Sequence, residues 1–325
     1  MPPVTNTRNQ ITDIFRLILI SMVVAIHVDV FPTFSSLNFF TVDGYFRMAV
    51  PIFFIINGYF FQYYVTDKAQ FRKWLYRAVL LFVVWQIIYL PMYLPRDGLT
   101  AQHTAVFISE LLFGYHHLWY IAAMATGGIF LYYLKDAKFT LLLCIALFMI
   151  GWFLQYARLF IHTDGVLFKV FSQYWIFRNG LFFGFPMMYI GAFIAKNDLV
   201  ERVSKTACYY FLALSLLCLS LELWLTKNYL FTQMSYHIDF IISLLVFCPS
   251  VFILLVKSDR VYFTHFNSKS LALVASAVYF IHPYVIYFIE SYHFTVALSY
   301  VLTLTISLLV ASVLFYFRKK LFFIF

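Results

Sequence analysis

The chain has 325 residues, of which 63% are apolar and 11% charged, with a formal net charge of +9. An ordinary soluble domain carries about 25% charged residues, so this composition excludes a water-soluble globule and predicts a surface that faces lipid. The basic residues recur in short groups between apolar runs, a pattern that argues against nucleic acid as a partner and for charges that orient a protein in a membrane.

A helix needs about 20 mostly apolar residues to cross a bilayer. Ten runs satisfy this and predict an all-α, polytopic transmembrane helical bundle, with spans at roughly 12–31, 44–65, 74–95, 116–134, 139–157, 175–195, 207–226, 237–256, 270–289 and 294–316. The stretch 103–114 is too short to cross and is expected in the interface. The connection at about 158–174 has room for a short surface helix. The apolar run from Ile14 to Ile26 is followed by no small-residue cleavage site and reads as a retained first span. With no soluble segment and no internal repeat, residues 1–325 read as a single membrane domain. With the N-terminus inside, sixteen Lys and Arg fall in inner segments and five in outer ones, which predicts ten spans with both termini cytoplasmic. Cys144, Cys208, Cys218 and Cys248 lie within apolar runs without a CxxC pair, so neither a disulfide nor a metal site is expected.

Ionisable groups inside spans are costly and often functional. The first span carries Asp13, Arg16, His27 and Asp29. Eleven helical steps of ~100° bring Arg16 and His27 to within ~20° of one face, about 16 Å apart along the axis. His27 is a candidate functional group or an interfacial residue, and Arg16 a partner or a snorkelling cation. Arg47 opens the second span and, alone, reads as interfacial. Asn57 reads as a bond to a neighbouring helix. His116, His117 and Trp119 open the fourth span as a site or an aromatic anchor, and Arg178 and Asn179 open the sixth. Gly180 and Gly184 form a GxxxG that reads as close helix packing. His282 precedes Pro283 in the ninth span, at a site or a structural kink. Alternating helix direction puts His27, Arg47, His117, Trp119, Arg178, Asn179 and His282 in the outer half. Arg72, Lys73 and Arg77 stand at the opposite, cytoplasmic mouth. This arrangement suits an anionic ligand from inside and a polar ligand met near the outer surface.

Five segments resemble a known family. Asp13-Ile14-Phe15-Arg16 followed by His27 resembles the opening helix of the acyltransferase 3 family, bacterial membrane enzymes that O-acetylate surface polysaccharides. Residues 50–60 (VPIFFIINGYF) resemble its second-helix segment, where Ser usually stands at the position of Asn57. His117 to Tyr120 (HLWY) is similar to the family's HLWF, and 178–186 (RNGLFFGFP) and 279–283 (YFIHP) resemble later segments. The matches run in order from 13 to 283. The family's RxxR pair falls here on Trp74 to Arg77, with Arg72 and Lys73 just upstream, so the residue that plays the first arginine is open.

The resemblance implies an O-acetyltransferase of the stand-alone sugar type in the bacterial inner (cytoplasmic) membrane, in contact with membrane lipid. Acetyl-CoA would be its co-substrate, no cofactor would be permanently bound, and a glycan or lipid-linked glycan would be the acceptor. Arg72, Lys73 and Arg77 would bind the CoA phosphates. His27 would be the general base, with Arg16 orienting the donor or stabilising the thioester oxygen, and a covalent acyl-histidine route is an open alternative. Arg47, His117, Trp119, Arg178, Asn179 and His282 would shape the acceptor site. The rival reading is a transporter of a sugar or anionic solute, which intramembrane Arg and His with broken helices also suit.

Overall fold

The computed structural model describes residues 10–31, 35–95, 100–157, 170–171, 173–230, 237–258, 268–321 and 324. Among them the structure is helical, without strands. In chain order the helices are α1 (Gln10–Val28), α2 (Ser35–Thr41), α3 (Ala49–Tyr64), α4 (Lys68–Tyr93), α5 (Ala101–Phe113), α6 (Trp119–Leu134) and α7 (Thr140–Ala157). There follow α8 (Phe185–Lys196), the single turn α9 (Leu199–Arg202), α10 (Lys205–Leu225), α11 (Leu244–Lys257), α12 (Lys269–Glu290) and α13 (Val296–Tyr316). Among the described residues, seven helical runs are long and apolar enough to cross a membrane, and Gly180–Lys196 and Leu244–Lys257 are shorter apolar helices. The expected surface helix falls mostly on 158–169, outside the described residues.

Burial separates a centre from a rim. In the apolar 18-residue stretches of Ser36–Tyr64 and Ser270–Glu290, 67% and 56% of residues are buried, whereas in those of Lys68–Tyr93, Lys205–Leu230 and Val296–Tyr316 the shares are 22%, 22% and 17%. The rim helices keep Leu, Ile, Val and aromatic side chains outward, as a lipid environment requires. At the centre α3 and α8 meet backbone to backbone. A Cβ on Gly58 would collide with the Met188 carbonyl, and one on Gly191 with the Ile55 carbonyl, so small residues set this crossing. The expected GxxxG contact is present too: Gly180 and Gly184 pack on Thr126 and Ala123 of α6.

Helix limits depart from the sequence reading where polar residues sit. The α4 helix begins at Lys68, six residues before the expected 74, because the Asp67 carboxylate caps it by accepting from the Ala69 and Gln70 N–H at 2.8 and 2.9 Å. Arg72 and Lys73 are therefore on the helix rather than before it, together with Arg77. The stretches expected to open spans at 44, 116, 175 and 237 are not α-helical at their starts. They are a 3₁₀ turn at Tyr45–Met48, a 3₁₀ turn at His116–Leu118, a 3₁₀ turn at Tyr174–Ile176 leading to a π-helical turn at Gly180–Gly184, and an irregular strip over 237–243. α1 likewise stops at Val28, three residues short of the expected 31, with Asp29 in the left-handed region at φ 54°. These interruptions converge on one cavity.

Candidate active site

A cavity of about 440 Å³ opens among these interrupted helix ends. Its lining includes His27 and Asp29 from the end of α1, Arg47, Glu110 of α5, His116, Trp119, Tyr174, Trp175, Arg178 and His237. Each arrives there for a local reason. The chain leaves α5 through Gly114 at φ 98°, a conformation side chains other than glycine rarely adopt. His116 then takes φ 48°, and the Leu118 N–H closes a tight turn onto the Tyr115 carbonyl at 2.9 Å. The turn leaves His116 exposed to the cavity and drives His117 behind it, 1% exposed.

Four imidazoles form one cluster. The ring of His27 lies 4.6 Å from that of His116 and 5.1 Å from that of His282, and His282 is 5.4 Å from His117, centroid to centroid. His282 is fully buried, with Nδ1 against the Val278 carbonyl at 3.1 Å. Its Nε2 and both ring nitrogens of His117 have no hydrogen-bond partner among the described residues. Tyr279 donates its hydroxyl to the His117 carbonyl, and the Tyr89 ring stands 5.0 Å from His117. No group of three or more His, Cys, Asp or Glu among the described residues is arranged to hold a metal ion.

The cavity's two arginines are tied together by a carboxylate. Arg47 is 7% exposed, not interfacial as its sequence position suggests. It donates to Asp239 at 2.8 Å, to Asp43 at 3.0 Å and to the Val42 carbonyl at 3.1 Å. Arg178 donates to the other oxygen of Asp239, through Nε at 2.8 Å and through Nη2. Its guanidinium lies 4.4 Å from the Tyr174 ring and 5.3 Å from that of Trp119. The Nδ1 of His237 is 2.7 Å from Asp43 Oδ1. Asp239 is set in place by Gln155 of α7, fully buried, whose Oε1 accepts from the Asp239 and Phe240 N–H at 2.7 and 2.9 Å while its amide donates to the Phe240 carbonyl at 3.1 Å. Burying charge requires such pairing.

Of the residues singled out from the sequence, His27, Arg47, Trp119 and Arg178 reach the cavity, while His117 and His282 stand behind it. Asn179 has other work. Its Oδ1 accepts from the Leu181 and Phe182 N–H at 2.9 and 3.0 Å, and its amide donates to the Trp175 and Ile176 carbonyls, both at 3.0 Å, so it caps the π-helical turn. Asn57 bonds across to α6 as expected, donating to the Tyr120 hydroxyl at 2.6 Å. Arg16 lies away from the cavity, paired with Asp13 at 2.8 Å and set 5.9 Å from the Phe60 ring. Arg72, Lys73 and Arg77 are exposed on the first turns of α4. The sequence reading named His116 at the opening of the fourth span without giving it a role in the site, and missed Asp43, His237 and Asp239. The one signal for the last two was a polar His237-Ile238-Asp239 triplet at the mouth of an apolar run.

Comparison with known proteins adds to this geometry. A family model described as an acyltransferase domain matches residues 9–317. A serine/alanine racemase of Enterococcus gallinarum is 26% identical over 309 residues, covering 86% of this chain and 41% of the relative. Two amino-acid racemases of Enterococcus faecalis are 26% identical over 152 residues (43% of this chain, 22% of the relative) and 28% identical over 233 residues (67% and 32%). The chain therefore spans less than half the length of these curated relatives. No solved structure matches.

Proposed function

The chain belongs to the acyltransferase 3 family, and from that premise we propose that it is a bacterial inner-membrane O-acetyltransferase that moves acetyl from cytoplasmic acetyl-CoA to a sugar hydroxyl of a surface polysaccharide or its lipid-linked precursor. The observation that carries the reading is His27, which lines the cavity with its ring between that of His116 at 4.6 Å and that of buried His282 at 5.1 Å. In this reading the whole chain is one membrane domain of ten spans, with both termini in the cytoplasm. The spans include α6, α11 and the Gly180–Lys196 helix, whose irregular outer ends complete the crossing.

The CoA phosphates meet Arg72, Lys73 and Arg77 at the inner mouth, and the pantetheine arm rises along the bundle past Arg16. At the cavity, His27 takes the proton of the acceptor hydroxyl as its oxygen attacks the thioester carbon. The C–S bond breaks, the acetyl ester forms, and the CoA thiolate recovers the proton from the imidazolium. His116, its ring centre 4.6 Å from that of His27, and Trp119 and Arg178 shape the acceptor pocket. Purified protein in lipid should transfer labelled acetyl from acetyl-CoA to a glycan acceptor, and cells lacking it should lose an O-acetyl group from a surface glycan by mass spectrometry. Unchanged glycans together with no acetyl-CoA turnover would remove the proposal.

A second reading, a transporter of a small polar solute, draws on the interrupted helices around the cavity and on the names of the racemase relatives, which act on amino acids. Counterflow of labelled serine or alanine in proteoliposomes, without acetyl-CoA, would favour it.

A further inference from the structure

We infer that Asp29 makes the cavity charge-selective: it takes a hydroxyl or amide N–H of the ligand and excludes ligands that carry a carboxylate. The inference rests on reading this cavity as the acceptor site. Asp29 lines the cavity two residues from His27, and its Oδ1, screened from solvent, has no hydrogen-bond partner among the described residues. With Oδ1 shut off and unpaired the carboxylate is short of donors, and a ligand's N–H or O–H meeting the partly exposed, cavity-facing side of Asp29 recovers part of that cost.

The cavity's cations do not offset this charge for an acidic ligand. Arg47 and Arg178 both donate to Asp239, and Arg47 also to Asp43, so an incoming carboxylate must compete with those aspartates. Glu110 adds a second carboxyl to the lining. A neutral sugar brings the missing donors, whereas a uronic acid brings a like charge into a site of low dielectric. The backbone at Asp29 is left-handed, φ 54°, a conformation that Asn tolerates and Gly adopts freely. Asp29→Asn and Asp29→Gly therefore remove the charge while keeping the turn that ends α1.

The test uses purified full-length protein in lipid nanodiscs, with N-acetylglucosamine and glucuronic acid as probes. Binding is read from the fluorescence of Trp119 and Trp175, which line the cavity, and acetyl transfer from acetyl-CoA is measured on the same samples. The wild type should bind the neutral sugar about tenfold or more tightly than the acid, the worth of a hydrogen bond to a charged group. Asp29→Asn should bring the two affinities to within about threefold, with Asp29→Gly doing the same. Equal affinities in the wild type, binding of neither probe, or a preference that survives in both variants would each overturn the inference. A charge preference without acetyl transfer would remove the acyltransferase reading and leave the selective site standing. Transfer to both sugars without preference would do the reverse.

Discussion

His27 and His116 belong to segments far apart in the chain, yet their rings sit 4.6 Å apart with an interplanar angle of 39°. One closes α1 in its last helical turn, and the other stands in a left-handed turn after Gly114. Both face the same cavity, so the chemistry proposed for His27 depends on a neighbour that no helical periodicity would pair with it.

His27→Gln should lower acetyl transfer by about 10²–10⁴-fold, the range for loss of a general base, because glutamine keeps hydrogen bonding but takes no proton. Expression, thermal melting and acetyl-CoA binding should hold. If His27→Gln transfers at near the wild-type rate while His116→Gln does not, the base is His116.

Asp239→Ala leaves two arginine charges facing each other across a buried site. Removing one partner of a buried pair costs about 3–5 kcal/mol, so the melting temperature in lipid or detergent should fall by several degrees. In a double-mutant cycle Arg47→Ala and Asp239→Ala should be strongly non-additive, since each disables the same 2.8 Å contact. Additive losses would mean that the Arg47–Asp239 pair contributes nothing to holding Tyr45–Met48 and the 237–243 strip together.

Arg72→Ala and Arg77→Ala should raise the KM for acetyl-CoA by about tenfold with little change in kcat, since a charge-assisted contact is worth roughly 1.5–3 kcal/mol. Both side chains are exposed, so the wild-type KM should itself rise with ionic strength as salt screens the contact. A donor KM that responds to neither substitution nor salt would assign these residues to membrane orientation alone.

Single cysteines at Lys68, Lys135 and Lys319, in a background without native cysteines, should resist an impermeant thiol reagent in intact cells. A cysteine at His293, in the turn between α12 and α13, should react. The opposite pattern would invert the bundle and put the α4 cations on the wrong side for a cytoplasmic donor.

The apolar runs alone pointed to a helical membrane protein, because runs of about 20 apolar residues are too long for barrel strands and a helix satisfies its own backbone in lipid. Five short segments in order were enough to suggest its family, and a histidine eleven residues after Arg16 was enough to single out His27. The sequence also predicted that Asn57 would bond a neighbouring helix, because an isolated amide in an apolar span needs a partner. What it did not carry was where helices stop. Hydropathy averages over a window, so it ran the spans through 116–118, 175–179 and 237–243, where polar side chains and Gly114 favour turns. Those turns decide the site. They bring His116 forward and send His117 back, give Asn179 to a cap, and deliver Asp239 between Arg47 and Arg178. Ion pairs between residues as distant as 47 and 239 have no signature in spacing or periodicity, because their geometry exists only once the helices around them have packed.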